Sequence, residues 1–599
     1  MRRRGPLIAC LLLCALPAPA AAARGPFSGA PRPPSLAAAG RTHPAADVAS
    51  SGLTSGSEAS IPVAPSNLPP AGRKVSANAI LAIADALPKM RAVRAKYPGS
   101  YGDAYLKPAF HWQVSYFSPG GKKEIGQVIL VETPTSARVL EQWTGFQVAW
   151  TMARGYPGAF GRHVNALYIW LPLCVLFILP FFNFRRPFSL LHLDLLVLLS
   201  FSVSLAFFNH AHIYASVPLV YPPLLYLLAR MLALLRRARD DGVQRPAPLR
   251  LLIPAPWLAI GVVFLLGFRI GLNVTDGNVI DVGYAGVIGA QRIVHGEPLY
   301  GSYPSDNEHG DTYGPFNYEA YVPFQQIFGW SGRWDDLPAA HAAAIAFDLL
   351  ALALLFLLGR RMRGPTLGIA LAYAWVSYPF TLFALESNSN DTLVAALVLA
   401  ALLAASYRSK LVTSGRGALA ALAGLTKFAP LALAPLLATH GLRELQPSRR
   451  PRAFALFLAA FLGTAALVSI PALSHDSLHT IYERTIAYQA NRGSPFSVWG
   501  LYGGLGGVQL AVELAAVAVA LGLAVVPRRP DLVGLAAGCA AVIIAAQLGI
   551  EHWFYLYIPW FFPLVMLVLL GRFSDPAEPL AAVASAPARS SRHATALSS

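Results

Sequence analysis

The chain has few charged residues and few cysteines for its length. Of its 599 residues only 13% are charged, whereas 55% are hydrophobic, and there are four cysteines. Soluble globular domains carry about 25% charged residues, so this composition excludes an ordinary soluble enzyme. Cys10 and Cys14 lie near the N-terminus, and Cys174 and Cys539 lie inside apolar runs. That distribution indicates neither a disulfide framework nor a cysteine-based metal site.

Long apolar runs are abundant. Stretches of about 20 apolar residues recur along the chain, and each is long enough to cross a bilayer as a helix. The net charge is +17, but the lysines and arginines fall in short segments between the apolar runs, as membrane orientation requires. We therefore expect a polytopic α-helical membrane protein with the lipid bilayer as a partner and no nucleic-acid partner.

Hydropathy predicts about 11 membrane spans plus one re-entrant segment. The predicted spans are residues 164–183, 190–209, 216–236, 250–270, 338–359, 366–385, 391–407, 454–473, 506–526, 531–549 and 553–571. Counted from an external N-terminus, the loops that fall inside are all basic. Residues 417–438 have basic residues on both flanks and are interrupted by Pro430 and Pro435. This pattern predicts a re-entrant helical hairpin or a pair of short helices, and a misassigned neighbouring span is the alternative.

Three predicted regions precede the spans. Residues 1–23 have a basic start, a short apolar core and small residues, which is typical of a secretory signal peptide. Residues 24–73 are rich in proline and alanine and predict a disordered linker. Residues 74–160 predict a small extracytoplasmic α+β module: a helix, a hairpin formed by FHWQVSYF and EIGQVILVE, and a second helix over SARVLEQWTGFQVAWTMARG.

The helix, the hairpin and VLEQWTG resemble a PepSY domain. Because the module has no acid pair, metal cluster or nucleophile, we expect a lid or interaction module. Three additional transmembrane helices are predicted in 161–249, the main membrane domain in 250–573, and a disordered cytoplasmic tail in 574–599.

Two carboxylates follow the fourth predicted span, Asp276 and Asp281, in the stretch NVTDGNVIDVGYAGVIGAQRIVHGEPLYG. The apolar spacing after Asp281 predicts an amphipathic helix that lies on the membrane surface. The aromatic-rich stretch DTYGPFNYEAYVPF, residues 311–324, also predicts a segment at the membrane–water interface.

An acid in the first large external loop, followed by Tyr284, a small-residue helix and GEPLY, resembles the pattern of GT-C glycosyltransferases. The most similar group is the bacterial α-mannosyltransferases that use polyprenyl-phosphate mannose. Several later stretches agree with it in order, namely YGPFNY (313–318), SNSNDTLVAALVLAALL (387–403), GLTKFAPLALAPLL (424–437), YQANRGSPFSVWG (488–500) and EHWFYLYIPWFFP (551–563). The resemblance covers about residues 250–571.

The resemblance implies that the protein transfers a mannose-like hexose from a polyprenyl-phosphate donor to an extracytoplasmic glycan or lipid acceptor, with inversion and a general base. It implies Asp281 as the base, with Asp276 as the reserve. Both acids have an alternative reading, since either could cap or solvate the helix start, and Asp276 followed by glycine is also a turn signal.

Cationic groups are needed for the leaving phosphate. The candidates for donor-phosphate binding are Arg269, Lys427, Arg484, Arg492 and His552. Each could instead be an interface anchor, and Lys427 could extend to the cytoplasmic side. The candidates for substrate binding are Tyr284, Tyr313, Asn390, Asp391, Gln489 and Glu551; Asn390 and Asp391 could equally cap a helix.

No DxD-like cluster demands a metal, so we expect no cofactor and leave a divalent ion open. Two further functions compete with transfer. A lipid-linked sugar transporter or flippase would use the same acids to bind ions, and transporters tend to have inverted repeats and broken helices in both halves. A non-enzymatic membrane sensor would use the N-terminal module to read the exterior.

Overall fold

The computed structural model describes residues 61–121, 123–155, 162–236, 248–334, 336–407, 410–526 and 529–573. The predicted signal peptide, most of the predicted linker and the predicted tail lie outside these residues. The described chain has two separate hydrophobic cores, one in a small N-terminal sheet domain and one in a helical bundle.

The N-terminal domain is a five-stranded antiparallel sheet covered by two helices. The strands follow the order of the chain: β1 Ile61–Val63, β2 Tyr101–Lys107, β3 His111–Phe117, β4 Glu124–Glu132 and β5 Ala137–Thr144. The helices are α1 Ala77–Asp85 and α2 Pro88–Lys96. Pro88 ends the predicted single helix because it fits only a first helical turn. Trp112 and Met90 are fully buried in the core between helices and sheet.

The β3–β4 hairpin agrees with the sequence prediction, but two neighbouring predictions are wrong. Strand β1 lies inside residues 24–73, so the last part of the predicted linker is ordered. The predicted second helix is largely strand β5, which pairs with β4. Ala137 and Val139 pack on the core while Arg138 and Leu140 are exposed, an alternation that a strand satisfies and a helix does not. The PepSY resemblance stays a prediction.

The rest of the described chain is helical. Its first helices are α3 Phe146–Ala149, α4 Leu167–Ile178, α5 Leu190–Phe208, α6 Ile213–Ser216, α7 Tyr221–Arg236, α8 Ala255–Asp276, α9 Asp281–His295, α10 Pro315–Glu319, α11 Val322–Phe328, α12 Pro338–Arg363, α13 Pro365–Ser377 and α14 Pro379–Glu386. The others are α15 Asp391–Ala405, α16 Lys410–Thr426, α17 Ala434–Thr439, α18 Arg450–Leu473, α19 Leu478–Tyr482, α20 Tyr488–Asn491, α21 Val498–Leu501, α22 Gly506–Val525, α23 Leu532–Gly549 and α24 Ile558–Gly571.

The predicted count of 11 spans is not confirmed. Among the described residues, seven helices are long and apolar enough to cross a membrane, or up to eight if the bent pair α13 and α14 counts as one span. The helices at 167–181, 391–405 and 555–571 are apolar but shorter. Helix α23 lies at the centre of the bundle, where 89% of its membrane-spanning residues are buried. Helix α22 lies at the periphery, where only 6% of them are buried.

The bundle has two distinct ends. At one end, which we call the arginine-rich end, Arg361 donates to Ser406, Arg363 donates to the Gly571 carbonyl and Arg443 donates to the Val525 carbonyl. These contacts join the C-terminal ends of α12, α15, α22 and α24. At the opposite end, which we call the loop end, lie α9 to α11 and the two segments 474–505 and 550–557.

The segment predicted to be re-entrant runs from the arginine-rich end to the loop end and back. Helix α16 ends beside the start of α15, where Lys427 bonds Asp391. A 3-10 helix, Ala429–Leu433, and α17 then return, packing on α22 and α23. The excursion starts at residue 410 rather than 417. Its path is that of a hairpin with one long arm and one short arm.

Candidate functional site

Helix α9 is packed into the loop end instead of lying on a surface. All residues from Val282 to Ala290 are buried. A Cβ atom on Gly283 would lie 2.3 Å from the Asn388 carbonyl oxygen, so glycine allows the two backbones to touch. The predicted surface helix is therefore wrong, because its small residues let it approach neighbours on several sides.

Asp281 is the first residue of α9, and its side chain is exposed. Its backbone carbonyl accepts a hydrogen bond from the Asn307 side chain. Burial raises the pKa of Tyr488, and the charge of Asp281 adds to that increase. The Asp281 charge also contributes to the raised pKa values of Tyr313 and Arg492. Asp281 thus lies among residues from three separate loop-end segments.

The reserve base Asp276 has a different environment. Its carboxylate accepts from the backbone N–H of His163 at 2.9 Å and lies 2.6 Å from the His163 Nδ1 atom. This pairing fastens the segment before α4 to the end of α8. Asp276 is thereby engaged in holding two elements together, and it is not available as a base beside Asp281.

Arg492 is a half-buried cation with an unusual lack of hydrogen-bond partners. Within the described residues its guanidinium donates no hydrogen bond and forms no ion pair, and its Cζ atom lies 5.6 Å from the ring centroid of Trp150. Burial acts to lower the pKa of Arg492, but Tyr488, Tyr313 and Asp281 raise it overall. Arg492 is therefore a charged donor with all its N–H groups available for a ligand.

Lys427 lies between a carboxylate and several aromatic rings. Its Nζ atom is 2.6 Å from Asp391 Oδ1, and the two side chains are 9% and 0% exposed. The ammonium also lies between 5.3 and 5.6 Å from the ring centroids of Tyr313, Tyr557 and Trp560. The Trp560 indole donates to the same Asp391 oxygen at 2.9 Å. Lys427 consequently lies at the loop end, beside the start of α15.

Two predicted phosphate ligands are instead fixed by carboxylates. Arg269 is fully buried in the bundle, where it donates to Asp348 at 2.6 Å and to Thr381 at 3.1 Å. Arg484 donates twice to Asp311, at 2.7 and 2.8 Å. Both guanidinium groups are thus engaged by carboxylates of the fold, whereas that of Arg492 is not; their role in phosphate binding stays a prediction.

The two long loops of the loop end are joined by two carboxylates. Asp311, in the first loop, is held by Arg484 of the second and accepts from the Gly301 backbone N–H. Asp476, just after α18, accepts from the backbone N–H groups of Leu299 and Tyr300. These cross-links hold the segment around Arg492 close to the start of α9.

His552 lies near the site, in surroundings that disfavour its charged form. Burial lowers its pKa well below the usual value, and the positive charges of Arg492 and Lys427 lower it further. Its Nδ1 atom is 2.9 Å from the Ser494 hydroxyl oxygen. These surroundings make His552 a weaker candidate for the predicted phosphate-binding charge than Arg492, and the assignment stays a prediction. The neighbouring Glu551 lies beside Gly500, at 3.3 Å from the place a Cβ atom would occupy.

The predicted substrate-binding residues divide between the site and the packing around it. Tyr313 and Asp391 contact Lys427, and Gln489 is exposed one residue after Tyr488. Asn390 is buried and donates to Asn317. Tyr284 is buried against Trp330 and Trp334 and donates to Asp306, so it supports the loop and does not line the site.

Four residues at the site were not predicted from the sequence: His309, Tyr488, Trp150 and Trp560. His309 stacks on Tyr488 with ring centroids 4.7 Å apart. Trp150 comes from the segment after the N-terminal sheet, and Trp560 begins the last helix. Tyr488 and Trp560 lie inside stretches that carried the family resemblance, whereas nothing in the local sequence indicated His309 or Trp150.

The described residues contain no group of three or more histidines, cysteines or acids placed to hold a metal ion. The site that they do form has an exposed carboxylate, an available guanidinium and a buried lysine–carboxylate pair, with aromatic rings between them. Residues 312–559 match the model of glycosyltransferase family 87. The match covers less than half of the chain and indicates a membrane glycosyltransferase. No curated protein and no solved structure gives a significant match.

The family 87 segment contains most of the site. Tyr313, Asp391, Lys427, Arg492 and His552 all lie within it. Asp281 and Trp150 precede it, so the carboxylate proposed as a base and one aromatic wall come from the part of the chain outside the family match.

Proposed function

We propose that the chain transfers a mannose-like hexose from a polyprenyl-phosphate donor to a glycan or lipid acceptor on the extracytoplasmic side. One observation carries the proposal: the exposed carboxylate of Asp281 and the available guanidinium of Arg492 lie at the same end of an apolar bundle, on two loops that the contacts of Asp311 and Asp476 hold together. A carboxylate and a cation are the two groups that an inverting transfer from a phosphate needs.

In this reaction the acceptor hydroxyl oxygen attacks the anomeric carbon of the donor sugar. Asp281 takes the hydroxyl proton as the new carbon–oxygen bond forms. The bond between the anomeric carbon and the phosphate oxygen breaks, and its electron pair stays on the phosphate. Arg492 donates hydrogen bonds to the oxygens on which this negative charge develops. The sugar is transferred with inversion at the anomeric carbon.

Lys427 has a supporting role in this proposal. Its ammonium is paired with the Asp391 carboxylate, and the pair contacts Tyr313 and Trp560. A positive charge in so apolar a run is costly unless it is paired or used. The ammonium adds positive potential below the phosphate, while Arg492 supplies the directional hydrogen bonds.

The charge distribution supports an extracytoplasmic site. Arg360, Arg361 and Arg363 end α12 at the arginine-rich end, and Arg443 and Arg450 lie there too. Cytoplasmic loops are enriched in such residues. That rule assigns the arginine-rich end to the cytoplasm, and the loop end then faces outward at the height of lipid phosphates.

The test is transfer of radiolabelled mannose from polyprenyl-phosphate mannose by the purified full chain in detergent or liposomes. Loss of general-base catalysis costs on the order of 10²- to 10⁴-fold, so we expect Asp281→Asn to lower kcat by that range. Asp336 is an exposed acid of the same loop, and Asp336→Asn should transfer at the wild-type rate. Undiminished transfer by Asp281→Asn, with Asp336→Asn equally active, contradicts the assignment of the base.

A second pair of variants tests the phosphate ligand. Arg492→Lys keeps the charge but loses the planar, forked hydrogen-bond donors, and Arg492→Ala loses both. We expect kcat to fall and the Michaelis constant for the donor to rise in the order wild type, Lys, Ala, with little change in the acceptor constant. An increase in the Michaelis constant for the acceptor alone would show that Arg492 binds the acceptor and not the donor phosphate.

A further inference from the structure

The segment between the sheet domain and the bundle is a compact unit. It comprises α3 and a 3-10 helix, Thr151–Arg154. Arg154 donates to the carbonyls of Gln147 and Val148 at 2.8 and 3.0 Å, and the Gln147 side chain donates to the Ala153 carbonyl at 2.9 Å. These bonds satisfy carbonyls that a helix of one turn leaves open. The unit therefore has a definite shape of its own, unlike a flexible linker.

This unit is seated directly on the helical bundle. Gly155 has φ +59°, and a Cβ atom there would lie 2.2 Å from the Ala211 backbone nitrogen, just beyond the end of α5. Glycine is required by both the backbone conformation and the close approach. Phe146 adds an edge-to-face contact with Tyr214, at 6.1 Å between centroids. Two contacts on either side of Trp150 thus fix where its side chain lies.

Trp150 belongs to the core of the bundle although it follows the sheet domain in sequence. It is 8% exposed. Its ring lies 5.2 Å from Phe496 and 5.9 Å from His552 between centroids, and 5.6 Å from Arg492 Cζ. All three neighbours are loop-end residues inside the family 87 match, so Trp150 brings a residue from outside the matched segment against the site.

The contact with Trp150 restrains the side chain of Arg492. Because the guanidinium donates no hydrogen bond among the described residues, the ring of Trp150 is the contact that orients it. A cation–π contact with an aromatic face restrains the position of a guanidinium while leaving its N–H groups free. His552 lies against the same ring, in surroundings that disfavour the charged form that would repel the cation.

We infer that Trp150 is a positioning residue of the transferase site: it holds the guanidinium of Arg492 where its N–H groups meet the donor phosphate. Through the segment Phe146–Gly155, the sheet domain is then coupled to the site. This inference rests on the proposed function for its kinetic consequence, but the contact itself can be tested without any activity.

The kinetic test compares Trp150→Phe and Trp150→Ala with wild type as full chains. A cation–π contact of this kind corresponds to about a 2- to 30-fold change in binding. We expect Trp150→Ala to raise the donor Michaelis constant by that factor, Trp150→Phe to raise it less, and kcat and the acceptor constant to stay close to wild type. Trp257 is 66% exposed on α8, and Trp257→Ala is the matched control. In an Arg492→Ala background, Trp150→Ala should raise the donor constant no further.

The activity-independent test is labelling of arginines by phenylglyoxal, followed by peptide mass spectrometry. Arg492 should label faster in Trp150→Ala than in wild type, whereas Arg484, held by Asp311, should label at the same rate in both. If Trp150→Ala fails to fold, Trp150→Phe gives the same comparison with a smaller effect. Unchanged labelling of Arg492 and an unchanged donor constant overturn the inference. If wild type transfers no sugar, the proposed function fails, and labelling alone decides the role of Trp150.

Discussion

The pair formed by Arg269 and Asp348 tests whether a buried arginine of the bundle stabilises the fold or binds the substrate. The two groups are 2.6 Å apart and 0% and 2% exposed, and the Trp375 indole donates to the same carboxylate oxygen at 3.0 Å. Removing one member of such a pair leaves a buried charge without its partner, which costs about 3–5 kcal/mol. Asp348→Asn or Arg269→Met should therefore lower the folded-to-unfolded ratio by roughly two to three and a half orders of magnitude.

Replacing both members should reverse most of this loss, since a well-packed apolar pair is often as stable as a buried ion pair. The assay is the fraction that remains monodisperse after heating in detergent, followed by size-exclusion chromatography. Arg449 is exposed at the arginine-rich end, and Arg449→Met serves as the control. The decisive measurement is transfer by Arg269→Met/Asp348→Leu. If this variant is as stable as wild type yet cannot transfer sugar, Arg269 acts on the substrate and our structural assignment is wrong.

Two further predictions concern the loop end. Gly283→Ala should greatly reduce the yield of folded protein in size-exclusion profiles, because its Cβ atom would overlap the Asn388 carbonyl, whereas Gly267→Ala has open space and should behave as wild type. Burial raises the pKa of Glu319 from 4.5 to about 7, so the folded state binds the proton more tightly and stability falls as pH rises through that interval. Glu319→Gln should lessen this decline in thermal midpoints measured at pH 5 and pH 7.5, while the same change at exposed Glu297 should leave it intact.

Much of the helical part could be predicted because its signals are local. Runs of apolar residues mark α5, α8, α12 and α23 within a few residues of their observed ends, since hydrocarbon thickness sets the length of a span. The β3–β4 hairpin followed from two alternating strands around a glycine-containing connection. Strand β5 was missed because the same residues also fit an amphipathic helix. They form a strand because the edge of β4 offers hydrogen-bonding partners to an extended backbone.

The roles of charged residues depend on partners that are remote in sequence. Arg269 and Asp348 are 79 residues apart, and Arg484 and Asp311 are 173 apart. A lone arginine near the end of a span looks the same whether it binds a ligand or a buried carboxylate. Lys427 could be singled out, since an ionisable residue in an apolar run indicates a site. Arg492 became distinct only when the structure showed that, among described residues, it has no hydrogen-bonding partner.

The two separate hydrophobic cores affect how thermal unfolding of this protein is measured. The sheet around Trp112 and the bundle each hold their own apolar interior, so melting need not be one cooperative event. A calorimetric trace should resolve into two endotherms, and a single midpoint would average over them. In Gly126→Ala, the added Cβ atom would lie 3.0 Å from the Met90 sulfur within the sheet domain. This variant should therefore shift only the endotherm of the sheet domain.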